Sequence, residues 1–207
     1  MCQGFQDGKQ TGRTRPPGGG DRRELETGGH GVSGEDTAVL TIGHSTRPLE
    51  QFIQLLLAHG VEVLADVRTV PRSRHNPQFN RETLPAALEG AHIEYRHMPG
   101  LGGLRHARKD SINRGWENLS FRGFADYMQT EAFEASLDEL LSLSRTRRVA
   151  LMCAESVPWR CHRSLIADAL VARGMPVRHI IGAGRAHPHR LTTFATVEGA
   201  RVTYPAP

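Results

Sequence analysis

Ala38-Val-Leu-Thr-Ile-Gly-His-Ser-Thr-Arg-Pro-Leu-Glu-Gln-Phe-Ile-Gln-Leu-Leu-Leu-Ala-His-Gly-Val-Glu-Val-Leu-Ala-Asp-Val-Arg68 decides the fold. Ala38 to Ile42 is a short apolar run and reads as a buried strand. Ser45 or Thr46 is placed to cap a following helix, with Pro48 in its first turn. Leu49, Phe52, Ile53, Leu56 and Leu57 share one face of that helix, and Gly60 ends it. Val61 to Val67 reads as a second strand. A β-α-β unit of this spacing predicts two parallel strands joined by a right-handed crossover.

The pattern repeats outward. A short helix is expected over 81–89, a strand over 92–97 and a helix over 121–142. A strand at 149–152, a helix at 162–170 and a strand at 175–181 follow. Alternation of this kind predicts an α/β single domain of three layers, a mostly parallel sheet with helices on both faces. Residues 1–35 have little to bury and read as a disordered tail. Residues 36–185 form the α/β domain, and 186–207 are a weakly patterned C-terminal extension.

The chain has 207 residues, 38% of them hydrophobic, which suits one core rather than two. No apolar run approaches the ~20 residues of a membrane span. With no apolar leader either, a cytoplasmic protein with no membrane partner is expected. Three cysteines, Cys2, Cys153 and Cys161, make no disulfide framework. The formal charge is +4, and all basic residues except Lys9 and Lys109 are arginine. Arginine's planar fork suits phosphate or carboxylate, although codon bias explains the excess as well.

In parallel sheets, ligands bind beyond the carboxyl ends of the strands, where strand order reverses. The polar clusters fall at those ends. Gly43, His44 and Ser45 follow the first strand, and Asp66 and Arg68 close the second. His97 closes the third, and Cys153 and Glu155 follow the fourth. Cys153-Ala-Glu-Ser-Val-Pro-Trp-Arg-Cys-His-Arg163 joins that last strand to a helix. A strand-to-helix loop offers backbone N–H groups and the positive end of a helix dipole. Arg160 and Arg163 add fork-shaped donors, and a thiol there, Cys153 or Cys161, gains thiolate character. Rhodanese-like and cysteine-phosphatase loops share that plan, but here the loop has no glycine and contains Glu155.

Thr41-Ile-Gly-His-Ser-Thr46, Asp66-Val-Arg68 with Pro71-Arg-Ser-Arg74 and Pro77-Gln-Phe-Asn80, Leu101-Gly-Gly103, and Cys153-Ala-Glu155 with Cys161-His-Arg163 resemble the domain of unknown function 488 family. The resemblance runs from about residue 38 to 182. It implies a cytoplasmic α/β domain and supplies no mechanism.

Three readings of the site stay open. In the preferred one, an enzyme acts on an anionic, nucleotide-like small molecule or a nucleic-acid moiety, cleaving or transferring a glycosidic bond. Glu155 is its base or nucleophile, and Asp66 either assists it or holds Arg68. His44 or His162 supplies acid/base chemistry. Gly43, Ser45, Arg68, Arg72, Arg74, His97, Arg160, His162 and Arg163 bind the ligand. In the second, Cys153 and Cys161 make a thiol-dependent, rhodanese- or phosphatase-like enzyme. In the third, the domain is a non-catalytic module for nucleic acid, metal or haem. Arg68, Arg72, Arg74 and His75, then Arg105, Arg108 and Lys109, would track a nucleic-acid backbone. No cofactor is assigned, because the Cys and His spacings match no common metal pattern. The oligomeric state is not assigned.

Overall fold

The computed structural model describes residues 38–206. In chain order it contains β1 Val39–Gly43, α1 Leu49–Ala58, β2 Val63–Asp66, α2 Leu84–Glu89, β3 Glu94–His97, α3 Leu119–Tyr127, α4 Glu131–Ser144, β4 Val149–Cys153, α5 Arg163–Ala172, β5 Val177–Ile180, β6 His187–Pro188, β7 Thr196–Glu198 and β8 Arg201–Thr203. The main sheet runs β3-β2-β4-β1-β5-β6. Its first five strands are parallel, and β6 pairs antiparallel with β5. The fold is therefore α/β, as the alternation of elements predicts.

Side-chain parity divides the core in two. Leu40, Ile42, Ala150 and Met152 pack with Phe52, Leu56, Leu84 and Leu88 of α1 and α2. Val39, Leu151 and Cys153 pack on the other face with Phe124, Phe133, Leu137, Leu165 and Ile166 of α3, α4 and α5. A strand covered on both faces buries almost every side chain, which is why β1 and β4 read as near-continuous apolar runs, interrupted only by the hydrogen-bonded Thr41. Burying one such Leu or Phe contributes about 1.5–3 kcal/mol. The same parity aims Cys153 at the α5 side of the sheet.

The connection from β1 to β2 passes over β4, and the connection from β4 to β5 passes over β1. Chain direction across the sheet thus reverses between neighbouring strands. The crevice beyond the carboxyl ends of β1 and β4 is the switch point of the fold.

Several local expectations differ. The helix expected over 121–142 is two helices. Thr130 accepts a hydrogen bond from the Phe133 amide and starts α4, while Asn118 caps α3. Neither Ser45 nor Thr46 caps α1: Pro48 occupies the N-cap and Ser45 takes a left-handed backbone, φ 49°. In the weakly patterned C-terminal stretch, β7 and β8 form a small antiparallel sheet, and Val202 and Tyr204 are buried in the core. The expected tail at 1–35 lies outside the described residues. No helix among those described is long and apolar enough to cross a membrane.

Candidate functional site

The two strands that flank the switch point end side by side, with Gly43 opposite Cys153. The chain leaving β4 stays beside the chain leaving β1. His44 donates its amide to Cys153 O at 3.0 Å, and Ser45 donates to Ala154 O at 2.9 Å. A Cβ on Gly43 would lie 1.7 Å from the Glu155 carbonyl oxygen, so only glycine permits this approach. Pro158–Arg160 then makes a single 3-10 turn that delivers Cys161 and His162 to the start of α5.

That turn brings the two thiols together. Cys153 Sγ and Cys161 Sγ are 2.6 Å apart, and both are free and buried. His162 Nε2–H donates to Val67 O at 3.0 Å, which leaves Nδ1 facing Cys161 Sγ at 3.6 Å. The Arg163 amide, in the first turn of α5, points at the same sulfur from 3.5 Å. The order is thiol, imidazole and carbonyl, an arrangement in which an imidazole held by a carbonyl can take a proton from the thiol.

Arg163 is almost fully buried. One terminal nitrogen donates to Glu155 O at 2.6 Å, the other reaches Thr41 Oγ1 at 3.5 Å, and Nε has no partner. Among the described residues no carboxylate pairs with it. A buried guanidinium without a counter-charge favours negative charge nearby, and Arg163 is one of the groups that lower the Cys161 pKa. Burial opposes ionisation of Cys161. The Cys153 thiol, then His162 and Arg163, outweigh it and hold Cys161 well below the ordinary thiol range. Burial and the hydrogen bond to Cys161 push Cys153 up. The two thiols are thus biased in opposite directions, Cys161 toward ionisation and Cys153 away from it.

A second cluster fixes Arg68. Asp66 is fully buried; its Oδ1 accepts Arg68 Nε at 2.8 Å and its Oδ2 accepts a terminal nitrogen at 2.6 Å. Tyr95 Oη donates to Oδ2 at 2.7 Å, and the Arg68 amide donates to Oδ1. Of the two roles open to Asp66, the geometry fits holding Arg68. Arg68 also donates to Phe79 O at 2.7 Å and reaches His44 Nε2 at 3.3 Å. Burial would lower the Arg68 pKa, but Asp66 reverses the sign and keeps it charged. His44 donates Nδ1–H to Ser45 O at 2.8 Å and stacks on Phe79. Burial is the main cause that lowers its pKa to about 4, so His44 is neutral with its lone pair turned to Arg68.

These groups line one cleft of ≈ 620 Å3. His44, Ser45, Arg68, Arg72, Cys153, Glu155, Arg160, Cys161 and His162 all face it. Gly43, Asp66 and Arg163 are not on its wall; they are buried and bonded to groups that are. Arg74 is exposed and off the wall. His97 donates Nε2–H to Arg68 O instead. Glu155 is exposed, and its carboxylate has no side-chain partner among the described residues. In the next basic loop Arg105 stacks on Tyr127 and Arg108 pairs with Asp110. Among the described residues no three His, Cys, Asp or Glu side chains converge as a metal-binding set.

The family model described as Domain of unknown function DUF488 matches residues 48–170. The chain belongs to this family. No curated protein and no solved structure matches it. The DUF488 match includes Asp66, Arg68, both thiols of the cleft, His162 and Arg163; Gly43, His44 and Ser45 precede it. One polar chain in this DUF488 protein escaped sequence reading. Asp168 Oδ1 accepts from His189 Nε2 at 2.8 Å, His189 Nδ1 meets His179 Nε2 at 3.0 Å, and His179 Nδ1 meets Thr41 Oγ1 at 2.8 Å. It ends beside Arg163, and its members carry no motif spacing that could have announced it.

Proposed function

We propose that the cleft is the active site of a thiol-dependent sulfur-transfer enzyme for a small anionic donor, with Cys161 as nucleophile. The observation that supports this reading is the contact between Cys161 and Cys153 at the foot of a basic cleft. The Cys161 thiolate attacks the outer sulfur of a thiosulfate or thiosulfonate. The new S–S bond makes a Cys161 persulfide, and the old one breaks with its electron pair on the departing sulfite or sulfinate. An anionic nucleophile meeting an anionic donor needs positive charge around both. Arg68, Arg72 and Arg160 supply it, Arg68 held rigidly by Asp66. The cleft volume suits a small molecule.

A phosphatase-like cycle would use the same thiolate, but a phosphocysteine gains nothing from a second thiol in contact. Glycosidic-bond cleavage rests on Glu155, which is exposed and has nothing to desolvate or orient it.

The test is release of sulfinate from an alkanethiosulfonate anion (RSO2S−) under pre-steady-state conditions. A burst of about one equivalent per chain is expected, lost in Cys161→Ser. Sulfinate release by Cys161→Ser at the wild-type rate removes Cys161 from the chemistry and defeats the reading.

A further inference from the structure

We infer that Cys153 is the resolving thiol of this site, so that the cycle closes through a Cys153–Cys161 disulfide and delivers hydrosulfide rather than a transferable persulfide. The inference rests on the sulfur-transfer reading above and adds the fate of the sulfur.

The two cysteines come from different elements and are fixed independently. Cys153 ends β4, where strand parity points it toward α5 and its carbonyl accepts the His44 amide. Cys161 closes the 3-10 turn, its amide donating to Pro158 O at 3.0 Å and its carbonyl accepting from Ser164. The two sulfur atoms are in direct contact, which is the arrangement a disulfide between them needs. Both face the cleft. A purely structural thiol at the end of β4 needs neither that neighbour nor that outlook.

Geometry also sets the order of reaction. Cys161 has His162 Nδ1 at 3.6 Å and the Arg163 amide at 3.5 Å, which favour its ionisation against burial, so it reacts first; burial and the contact with Cys161 disfavour ionisation of Cys153. In the second step Cys153 attacks the inner sulfur of the Cys161 persulfide. The Cys153–Cys161 bond forms, and the persulfide bond breaks with its pair on the outer sulfur. The proton that Cys153 loses goes to that sulfur, which leaves as hydrosulfide. Atoms and charge balance without another reactant. The disulfide then requires two electrons from a thiol or dithiol reductant. The net reaction is reduction of a thiosulfonate to sulfinate and hydrosulfide, with two thiols oxidised to a disulfide.

Wild-type protein mixed with an alkanethiosulfonate anion (RSO2S−), without reductant, is expected to release sulfinate and hydrosulfide in equal amounts and then stop. Peptide mapping finds Cys153 joined to Cys161, and dithiothreitol restores turnover. In Cys153→Ser the sulfinate burst persists, hydrosulfide release is lost, and Cys161 gains the mass of one sulfur atom. Hydrosulfide release by Cys153→Ser at the wild-type rate overturns the inference. So does a sulfinate burst in the wild type that leaves Cys161 persulfidated with no cross-link, a measurement that does not depend on the variant folding. In both cases Cys161 remains the nucleophile. Absence of any sulfinate burst in the wild type instead overturns the sulfur-transfer reading beneath it.

Discussion

Gly43 stands directly opposite Cys153 in the parallel register of β1 and β4, and the Glu155 backbone folds over the place where a Gly43 side chain would be. The absent side chain at one strand end therefore shapes the loop that carries the reactive groups from the other. Arg163 completes the clasp by donating to the Glu155 carbonyl at 2.6 Å.

Gly43→Ala forces a methyl group to 1.7 Å from Glu155 O and 2.9 Å from an Arg163 nitrogen. The first neighbour is backbone and cannot rotate away. A loss of about 1–3 kcal/mol is expected from the overpacking, together with a weakened Cys161 burst. Urea unfolding and the sulfinate assay measure the two effects. Unchanged values in both would show that the loop does not need this approach.

Asp66→Asn leaves the buried Arg68 charge without its partner. Breaking a buried pair on one side costs about 3–5 kcal/mol. Tyr95→Phe removes a single neutral donor from the Asp66 carboxylate and costs about 1.5–3 kcal/mol. Chemical denaturation should rank them in that order. Equal losses would mean that the ion pair contributes no more than the hydroxyl.

Such pairings explain what could and could not be read from the sequence. β1 and β4 were legible because burial on both faces leaves runs that are apolar apart from Thr41. Convergence of Arg68, His44 and Cys153 followed from their places at carboxyl ends. The break between α3 and α4 leaves only a five-residue step, from Met128 to Phe133, in an otherwise helical apolar spacing, a signal easily lost between two long periodic runs. Likewise the Cys153–Cys161 contact depends on a 3-10 turn too short to leave a periodic signal. The division of labour between Asp66 and Glu155 depends on burial, which differs completely between two carboxylates at similar strand ends.

Alkylation by iodoacetamide should titrate Cys161 below the ~8.5 of a free thiol. The cause is the Cys153 thiol, then His162 and Arg163, acting against burial. Arg163→Gln removes one cation and shifts the midpoint up. Because folding lowers this pKa, the stability that the thiolate contributes is complete above the ordinary thiol range. It is lost as pH falls through the lowered value. A midpoint at the free-thiol value in the wild type would remove the electrostatic basis for choosing Cys161 over Cys153.

Acid sensitivity should trace in part to His44. Burial, with the Arg68 charge also disfavouring the imidazolium, lowers its pKa from 6.5 to about 4. The unfolded chain takes up this proton first, so the stabilisation is intact above pH 6.5 and lost as pH falls toward 4. The loss is at most about 3 kcal/mol. His179, lowered to about 3 by burial first, acts in the same direction, so the wild type carries two acid slopes. His44→Gln retains a side-chain acceptor for Arg68 and removes one of them. Parallel stability curves for the two proteins between pH 6.5 and 4 would clear His44 of this role.

Asp168 ties the end of the described chain to α5. Its fully buried carboxylate accepts from Tyr204 Oη at 2.8 Å, from Thr192 Oγ1 at 2.7 Å and amide at 3.0 Å, and from His189 Nε2 at 2.8 Å. Asp168→Ala strands all of these donors at once, whereas Tyr204→Phe removes one and keeps the ring packing. Losses of several kcal/mol and about 1.5–3 kcal/mol respectively are expected. Hydrogen exchange should localise the larger effect to 187–204 and, through His179 and Thr41, to the Arg163 clasp. Exchange that rises around 187–204 while the α5 N-terminus stays protected would show that the polar chain is a fastener for the C-terminal strands alone, with no mechanical hold on the thiol site.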